Sequence, residues 1–310
     1  MSRAKGELAL IEAFRHRARR TDAVLLGIGD DMAAVNFGGQ QVLITADMLL
    51  DGVHFDRTRH TVRQIGRKAV ACSLSDCAAM AAIPVAATVS FALDQRMSQE
   101  EATDLFEAMA EMGERYGCPI VGGDVTSWSH PLAIDVAMLA RPDPRGGPVR
   151  RDGARVGDRV CVTGRLGGSL LGHHLDFTPR LAEAGGLLEM FGERLHAMID
   201  VSDGLALDLH RLCQASGVGA VLEEAALEAV ISDAARQAAE DDGRSPLDHA
   251  LHDGEDFELL FCVALGDVER PAPADWFAVI GRTAEGGLTL GRADGTEIPL
   301  PPVGYEHFRT

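Results

Sequence analysis

Carboxylates beside glycine recur at the ends of apolar runs in this chain, and they are its best candidates for chemistry. Gly29-Asp30-Asp31 follows Leu25-Leu26-Gly27-Ile28, and Thr45-Ala46-Asp47 closes a strand read over 42–45. Gly122-Gly123-Asp124 follows Pro119-Ile120-Val121, and Asp200-Val201-Ser202-Asp203-Gly204 follows Ala197-Met198-Ile199. Asp76 is different, because it sits inside the otherwise uncharged stretch Ala71 to Met80. A buried carboxylate is costly unless it is paired or holds a cation. The nearest basic residues, Arg63, Arg67 and Lys68, lie two turns or more upstream, so a cation from outside is one answer. Aspartate at a strand-to-helix junction also serves as an N-cap, and Gly-Asp as a turn; both readings stand. If the loops converge, a cluster of oxygen donors suits Mg2+ better than Zn2+. Mg2+ in turn accompanies nucleotide polyphosphates.

The elements that must carry these residues alternate between helix and strand. Ile65 to Ala82 reads as a helix of small residues ending before Pro84, and Val85 to Phe91 as a strand with period-2 spacing. Ser98 with Glu101 forms a capping box, Leu105, Met109 and Met112 share one helical face, and Gly117 ends that helix. Leu132, Ile134, Val136 and Met138 alternate as a strand. The turn-rich segment from Arg141 to Pro148 is the best boundary. The expectation is an α/β (α+β) protein of two domains, 1–145 and 146–310. Strands at 160–162 and 197–199 and a helix from Gly204 to Gly217 belong to the second. Gly164 to Ser169 could cradle a phosphate, and Trp128 and Trp276 read as packing residues.

Composition narrows the partners. The formal net charge of −18 argues against nucleic acid and anionic membrane surfaces. The only lysines are Lys5 and Lys68, and no Gly-Lys pair exists to make a lysine phosphate loop. The longest apolar run, Ala78 to Leu93, is too short and too alanine-rich for a membrane span. Met1 to Arg20 lacks the pattern of a signal peptide, and six cysteines without C-x-x-C spacing suit a reducing, cytoplasmic setting.

Seven blocks together resemble the thiamine-monophosphate kinase family, whose fold is that of aminoimidazole-ribonucleotide synthetase. They are Gly27-Ile-Gly-Asp-Asp31, Thr45-Ala-Asp-Met48 with Asp51-Gly-Val-His-Phe55, Leu74-Ser-Asp-Cys-Ala-Ala-Met80, Val121-Gly-Gly-Asp124, Val162-Thr-Gly164, Asp200-Val-Ser-Asp-Gly204 and Asp253-Gly-Glu-Asp-Phe-Glu-Leu-Leu260. The likeness runs from Gly6 to Phe308. It implies an N-terminal mixed sheet with helices, a C-terminal α/β domain, and ATP-dependent phosphorylation of thiamine monophosphate by direct in-line transfer. Carried over by position, it implies metal ligands at Asp30, Thr45, Ala46 (by its carbonyl), Asp47, Asp76, Asp124, Asp200 and Asp203. ATP would meet Tyr116, Gly123, Asp124, Arg151 and Ser202, and the thiamine phosphate would meet His54, Glu255 and Tyr305. No separate catalytic base is implied. Mg2+, in several ions, would be the cofactor, and the family's habit is a homodimer paired through the N-terminal sheet. Ala46 stands where the family usually has Thr, Arg67 where it has Trp, and His252-Asp253 alters a usual Gly-Gly pair. The alternatives are another ATP-using enzyme of the same superfamily and a nucleotide- or Mg2+-binding module without turnover. Aminoimidazole-ribonucleotide synthetase itself lacks the Gly-Glu-Asp-Phe-Glu block.

Overall fold

The computed structural model describes residues 7–19, 21–264 and 276–307. Lys5, Gly6 and Phe308, named above, lie outside them. In chain order the first half holds α1 (Glu7–Arg17), β1 (Val24–Leu26), β2 (Ala33–Phe37), β3 (Gln40–Leu50), α2 (Val62–Ala79), β4 (Ala82–Asp94), α3 (Gln99–Arg115), β5 (Ile120–Trp128) and β6 (Ala133–Pro142). The second half holds β7 (Arg159–Thr163), α4 (His173–Asp176), α5 (Leu181–Phe191), β8 (Leu195–Asp200), α6 (Leu205–Ser216), β9 (Gly219–Glu223), α7 (Glu224–Leu227), α8 (Asp233–Asp242) and α9 (Pro246–His252). It closes with β10 (Leu259–Val263), β11 (Phe277–Ala284), β12 (Leu288–Gly291) and β13 (Glu297–Pro299).

The chain is a mixed α/β protein with two sheets. The six-stranded sheet has the order β1-β2-β3-β6-β4-β5, antiparallel except for the β4–β5 pair. The seven-stranded sheet has the order β13-β12-β9-β11-β7-β10-β8, with only β9–β12 parallel. Strands fully buried on both faces, such as β10 with Leu259 to Val263, read as unbroken apolar runs.

Helix α2 lies between the sheets. Ile65, Ala69, Leu74 and Cys77 pack with Leu43, Val89 and Val136 of the first sheet, while Ala78 packs with Cys161, Met198 and Phe261 of the second. Burial on all sides explains its run of alanines, serines and glycine in place of a polar stripe. Gly66 lets α3 approach: a methyl group there would meet the Leu105 carbonyl oxygen at 2.5 Å.

Three boundaries differ from the sequence reading. Helix α2 starts earlier, capped by Thr61 in a capping box with Gln64, and stops at Ala79, after which Ala81 turns the chain at φ +48°. Strand β3 does not end at Thr45 but runs on to Leu50, so Thr45, Ala46 and Asp47 lie inside a strand. Gly122-Gly123-Asp124 is likewise no loop: it forms the middle of β5 at the sheet edge.

Gly66→Val should therefore drive α2 and α3 apart and destabilise the fold by about 2 kcal/mol, the usual scale of overpacking. Urea denaturation measures it. A midpoint equal to that of the parent would show that the helices do not depend on this close approach.

Candidate active site between the two sheets

Helix periodicity sets the centre of the site. At about 100° per residue, Ser73 and Ser75 point to opposite sides of α2, and Asp76 falls between them. Ser73 donates to Asp47 Oδ2 of β3 at 2.6 Å, and Ser75 donates to Asp200 Oδ2 of β8 at 2.6 Å. Thr45 of β3 donates to Asp76 in a very short hydrogen bond. The helix thus joins one sheet to the other through hydroxyl–carboxylate pairs.

Oxygens of Asp31, Asp76 and Asp200 lie within 4.8 Å of one another, close enough to hold one metal ion. An all-oxygen set of this kind fits a hard divalent cation. Burial, and then the charges of Asp47, Asp200 and Asp31, push the Asp76 carboxyl far above the usual range. Burial and Asp31 do the same to Asp200, and burial raises Asp47. Asp30 is pushed up to about 7 by burial and by Asp31. The cation facing this group is Arg151, whose Nη2 and Nε donate to the two oxygens of Asp31 at 2.5 and 3.0 Å. Asp30 instead accepts from the backbone N–H groups of Asp31 and Arg151.

Asp47 also borders a cavity of about 270 Å3, lined by Met48, His54, Lys68, Ser202, Asp203, Glu255, Tyr305 and His307 among others. His54 Nδ1 accepts from Leu50 N–H at 3.0 Å. Burial, then His307 and Lys68, lower the His54 pKa to about 4. The ring is therefore neutral at pH 7 and carries its proton on Nε2, where it can donate. Its face meets His307 edge-on at 5.3 Å, and Tyr305 meets His307 in turn at 4.9 Å. Glu255 stands at φ +63° on the loop between α9 and β10. That loop is pinned to the turn after β8, Glu255 N–H donating to Ser202 O at 2.7 Å and Phe257 N–H to Val201 O at 2.8 Å.

Several residues expected at the site are thus brought together: Asp30, Thr45, Asp47, Asp76, Asp200 and Arg151 at the carboxylates, and His54, Ser202, Asp203, Glu255 and Tyr305 around the cavity. Asp203 belongs to the cavity wall, where Arg211 holds it at 2.5 Å. The Ala46 side chain is exposed on the far face of β3. Gly123 and Asp124 are exposed on β5, and Tyr116, capping α3, has Arg115, Arg67, Glu183 and Arg180 as its charged neighbours. Within one chain the Ala46 side chain, Gly123, Asp124 and Tyr116 thus lie outside the cluster, which leaves only the backbone carbonyl of Ala46 toward it. The Gly164–Ser169 turn is not a phosphate cradle, because Gly167 and Gly168 N–H groups already donate to Asp256 and Asp253. Both tryptophans are partly exposed, Trp128 at 40% beside His130 and Trp276 at 38% against Gly186. The sequence reading assigned no site role to Asp31, Lys68, Asp208 or His307. Asp31 was readable from the Asp30-Asp31 pair. The others gain meaning only from partners: Asp208, fully buried, accepts from Asp203 N–H, Gly204 N–H and Arg211.

Comparison with known proteins gives this arrangement its context. Residues 29–141 match the family model described as AIR synthase related protein, N-terminal domain. The thiamine-monophosphate kinase of Rhodopirellula baltica is 41% identical over 98% of this chain and 98% of its own. That of Escherichia coli is 33% identical over 99% of each. Among solved structures, AaThiL complexed with AMPPCP and TMP aligns with a TM-score of 0.84 and 30% identity, covering 98% of this chain and 97% of the other. The hydrogenase maturation protein HypE of E. coli shares the fold at 20% identity and a TM-score of 0.71. With likeness of that degree from end to end, and with the acidic blocks gathered where the two sheets meet, the chain belongs to the thiamine-monophosphate kinase family.

Proposed function

We infer that the protein transfers the γ-phosphoryl group of ATP to thiamine monophosphate, yielding thiamine diphosphate and ADP. The observation that carries this reading is a buried carboxylate cluster bordering a cavity whose walls combine aromatic rings with carboxylates and the Lys68–Glu255 pair. Both reactants are polyanions, so the main barrier is their mutual repulsion. Mg2+ held by Asp30, Asp31, Thr45, the Ala46 carbonyl, Asp47, Asp76 and Asp200 would neutralise phosphate charge and align the reacting oxygens. Arg151, fixed on Asp31, adds a permanent positive charge beside that position. The acceptor phosphate is already ionised near pH 7, so no general base is needed. His54 donates Nε2–H to the acceptor phosphate without adding charge. Asp203 and Glu255 attract the cationic thiazolium and its aminopyrimidine, and Tyr305 supplies an aromatic wall. Ser202, which also lines the cavity, is assigned to ATP by family position. Tyr116 is assigned to ATP by family position.

We further propose that the chain divides near residue 145, in the turn-rich segment between β6 and β7, and works in the cytoplasm as a homodimer. Its six cysteines are free, and among the described residues no helix is long and apolar enough to cross a membrane. The dimer reading rests on the first sheet. Ile44, Met48, Val85, Val121 and Leu139 are large apolar side chains left exposed on its strands, Met48 at 60% and Val121 at 66%. It rests also on register. The row Asp47–Val136–Val89–Gly123 crosses four strands, so Asp124 stands about 14 Å from Asp47, at about 4.8 Å per strand. One ion cannot touch both within a chain; Asp124 and Gly123 would serve the partner's site.

A coupled ADP-release assay with Mg2+, ATP and thiamine monophosphate tests the reaction. Turnover is expected, and Asp76→Asn should lower it at least about 100-fold while raising the melting temperature of the metal-free protein, because it replaces a carboxyl whose ionised form the fold disfavours. ATP binding without ADP release would favour the non-catalytic module, and turnover with another acceptor alone would favour a superfamily relative.

Raised carboxyl pKa values also fix a pH dependence. The unfolded chain loses these protons near 3.8, whereas folded Asp30 keeps its proton to about 7. The fold therefore binds more protons, and metal-free stability falls as pH rises between those values. Mg2+ should raise the melting temperature more at pH 8 than at pH 5; equal gains would contradict a cation site among these groups. Light scattering should give twice the chain mass, and Met48→Glu with Leu139→Glu should give a monomer of greatly reduced turnover. A fully active monomer would remove Asp124 of a second chain from the account.

A further inference from the structure

Lys68 is one of two lysines in the sequence, and arginine supplies the other cationic side chains apart from histidine. Its side chain is fully buried, with 0% exposed. Nζ donates to Glu255 Oε1 at 2.7 Å and to the His54 carbonyl oxygen at 2.5 Å. An ammonium group so placed must be paired, because a buried charge without a partner is strongly destabilising. The site also explains why lysine stands here: a compact ammonium fits between a carboxylate and a carbonyl where a planar guanidinium would not.

The pair links distant parts of the chain. Lys68 lies on α2, and Glu255 lies 187 residues later on the loop before β10. That loop is held in an unusual shape. Glu255 and Phe257 both have positive φ, Phe257 stacks on Phe177 at 4.0 Å, and a methyl group at Gly254 would press on the Ser202 carbonyl oxygen at 2.7 Å. Lys68 touches the backbone of His54 as well, so it holds two of the three residues assigned above to thiamine phosphate. Helix α2 also carries Asp76, eight residues and about 12 Å further along its axis. One rigid element therefore sets the distance from the carboxylate cluster, where the phosphates react, to the groups that hold the thiamine rings.

We propose that Lys68 is a positioning residue for thiamine recognition, holding Glu255 by Oε1 so that Oε2 faces the cavity and accepts a hydrogen bond from the amino group of the aminopyrimidine. This rests on the assignment of Glu255 to the substrate. Lys68 makes no contact with the reacting phosphates and acts through Glu255 and His54.

The test begins with steady-state kinetics. Lys68→Met should raise KM for thiamine monophosphate at least about tenfold, with KM for ATP and kcat changed less than about twofold. With Glu255→Gln the effects should not add, the double variant being no worse than the worse single one. In Lys68→Ala, added propylamine should lower the raised KM, while leaving the parent enzyme unaffected. Equal rises in both KM values, unchanged KM values in a folded variant, or additive effects would overturn the proposal. A second measurement needs no variant. With 13Cε-labelled lysine the parent protein gives two lysine signals, and thiamine monophosphate without ATP should shift only that of Lys68. Calorimetry on the same sample separates the two possible failures. Binding without a shift of Lys68 overturns this inference, whereas no binding at all overturns the assignment of the substrate.

Discussion

Three carboxylates, Asp31, Asp76 and Asp200, stand within 4.8 Å of one another where two sheets meet, and much of the molecule is arranged around that repulsion. Each comes from a different element, so the fold has to bring like charges together against both Coulomb repulsion and loss of solvent. Arg151 offsets part of it from the far side of the β6–β7 connection. Hydroxyls of Ser73, Ser75 and Thr45 satisfy individual oxygens without adding charge. The remaining excess of negative charge is the feature that a divalent cation matches, and it gives the net charge of −18 a local meaning. The acid argues against nucleic acid held by direct Lys and Arg contacts, yet a metal held by acid would reverse the sign locally and admit polyphosphates.

Helix α2 turns this electrostatic problem into a geometry. Its small residues let it lie buried between the sheets, and its periodicity sends Ser73 to one sheet and Ser75 to the other. The same helix carries Lys68 to Glu255 and Arg67 to the Asp176 and Phe177 carbonyls. The cavity and the carboxylate cluster therefore share one rigid support, with Asp47 bordering both. A substrate with a phosphate at one end and a cationic ring system at the other fits such a support, because each end meets groups of opposite charge: cations at the carboxylate cluster and carboxylates at the cavity.

The sequence made the acidic blocks legible because Asp76 interrupts an uncharged stretch and because glycine marks the turns beside the others. It also showed the Ser98 capping box and the glycine end of α3, both local signals, and both are present. The extent of β3 was hidden by its function. Its inward positions Leu43, Thr45, Asp47 and Leu49 run apolar, polar, polar, apolar, so the hydrophobic period breaks where the site begins. In β5, paired glycines read as a loop, yet Gly123 is needed in a strand because a methyl group there would strike the Val89 carbonyl oxygen. That Asp31 stands with Asp76 and Asp200 while Asp30 sits beside them follows from the turn between β1 and β2, which no local pattern shows. Lys68 could not be read as part of the site, since its partner lies so far away in sequence. Asp124 was legible as an acidic block, but its distance from the cluster is a property of strand order, which no local pattern contains.

The central claim is that the carboxylates at the meeting of the two sheets hold the divalent cations of phosphoryl transfer. Anomalous diffraction from crystals grown with Mn2+, a nonhydrolysable ATP analogue and thiamine monophosphate tests it most directly. The account predicts a strong peak within bonding distance of Asp31, Asp76 and Asp200, next to the analogue's terminal phosphate. Bound nucleotide with no manganese peak among those three carboxylates would contradict it.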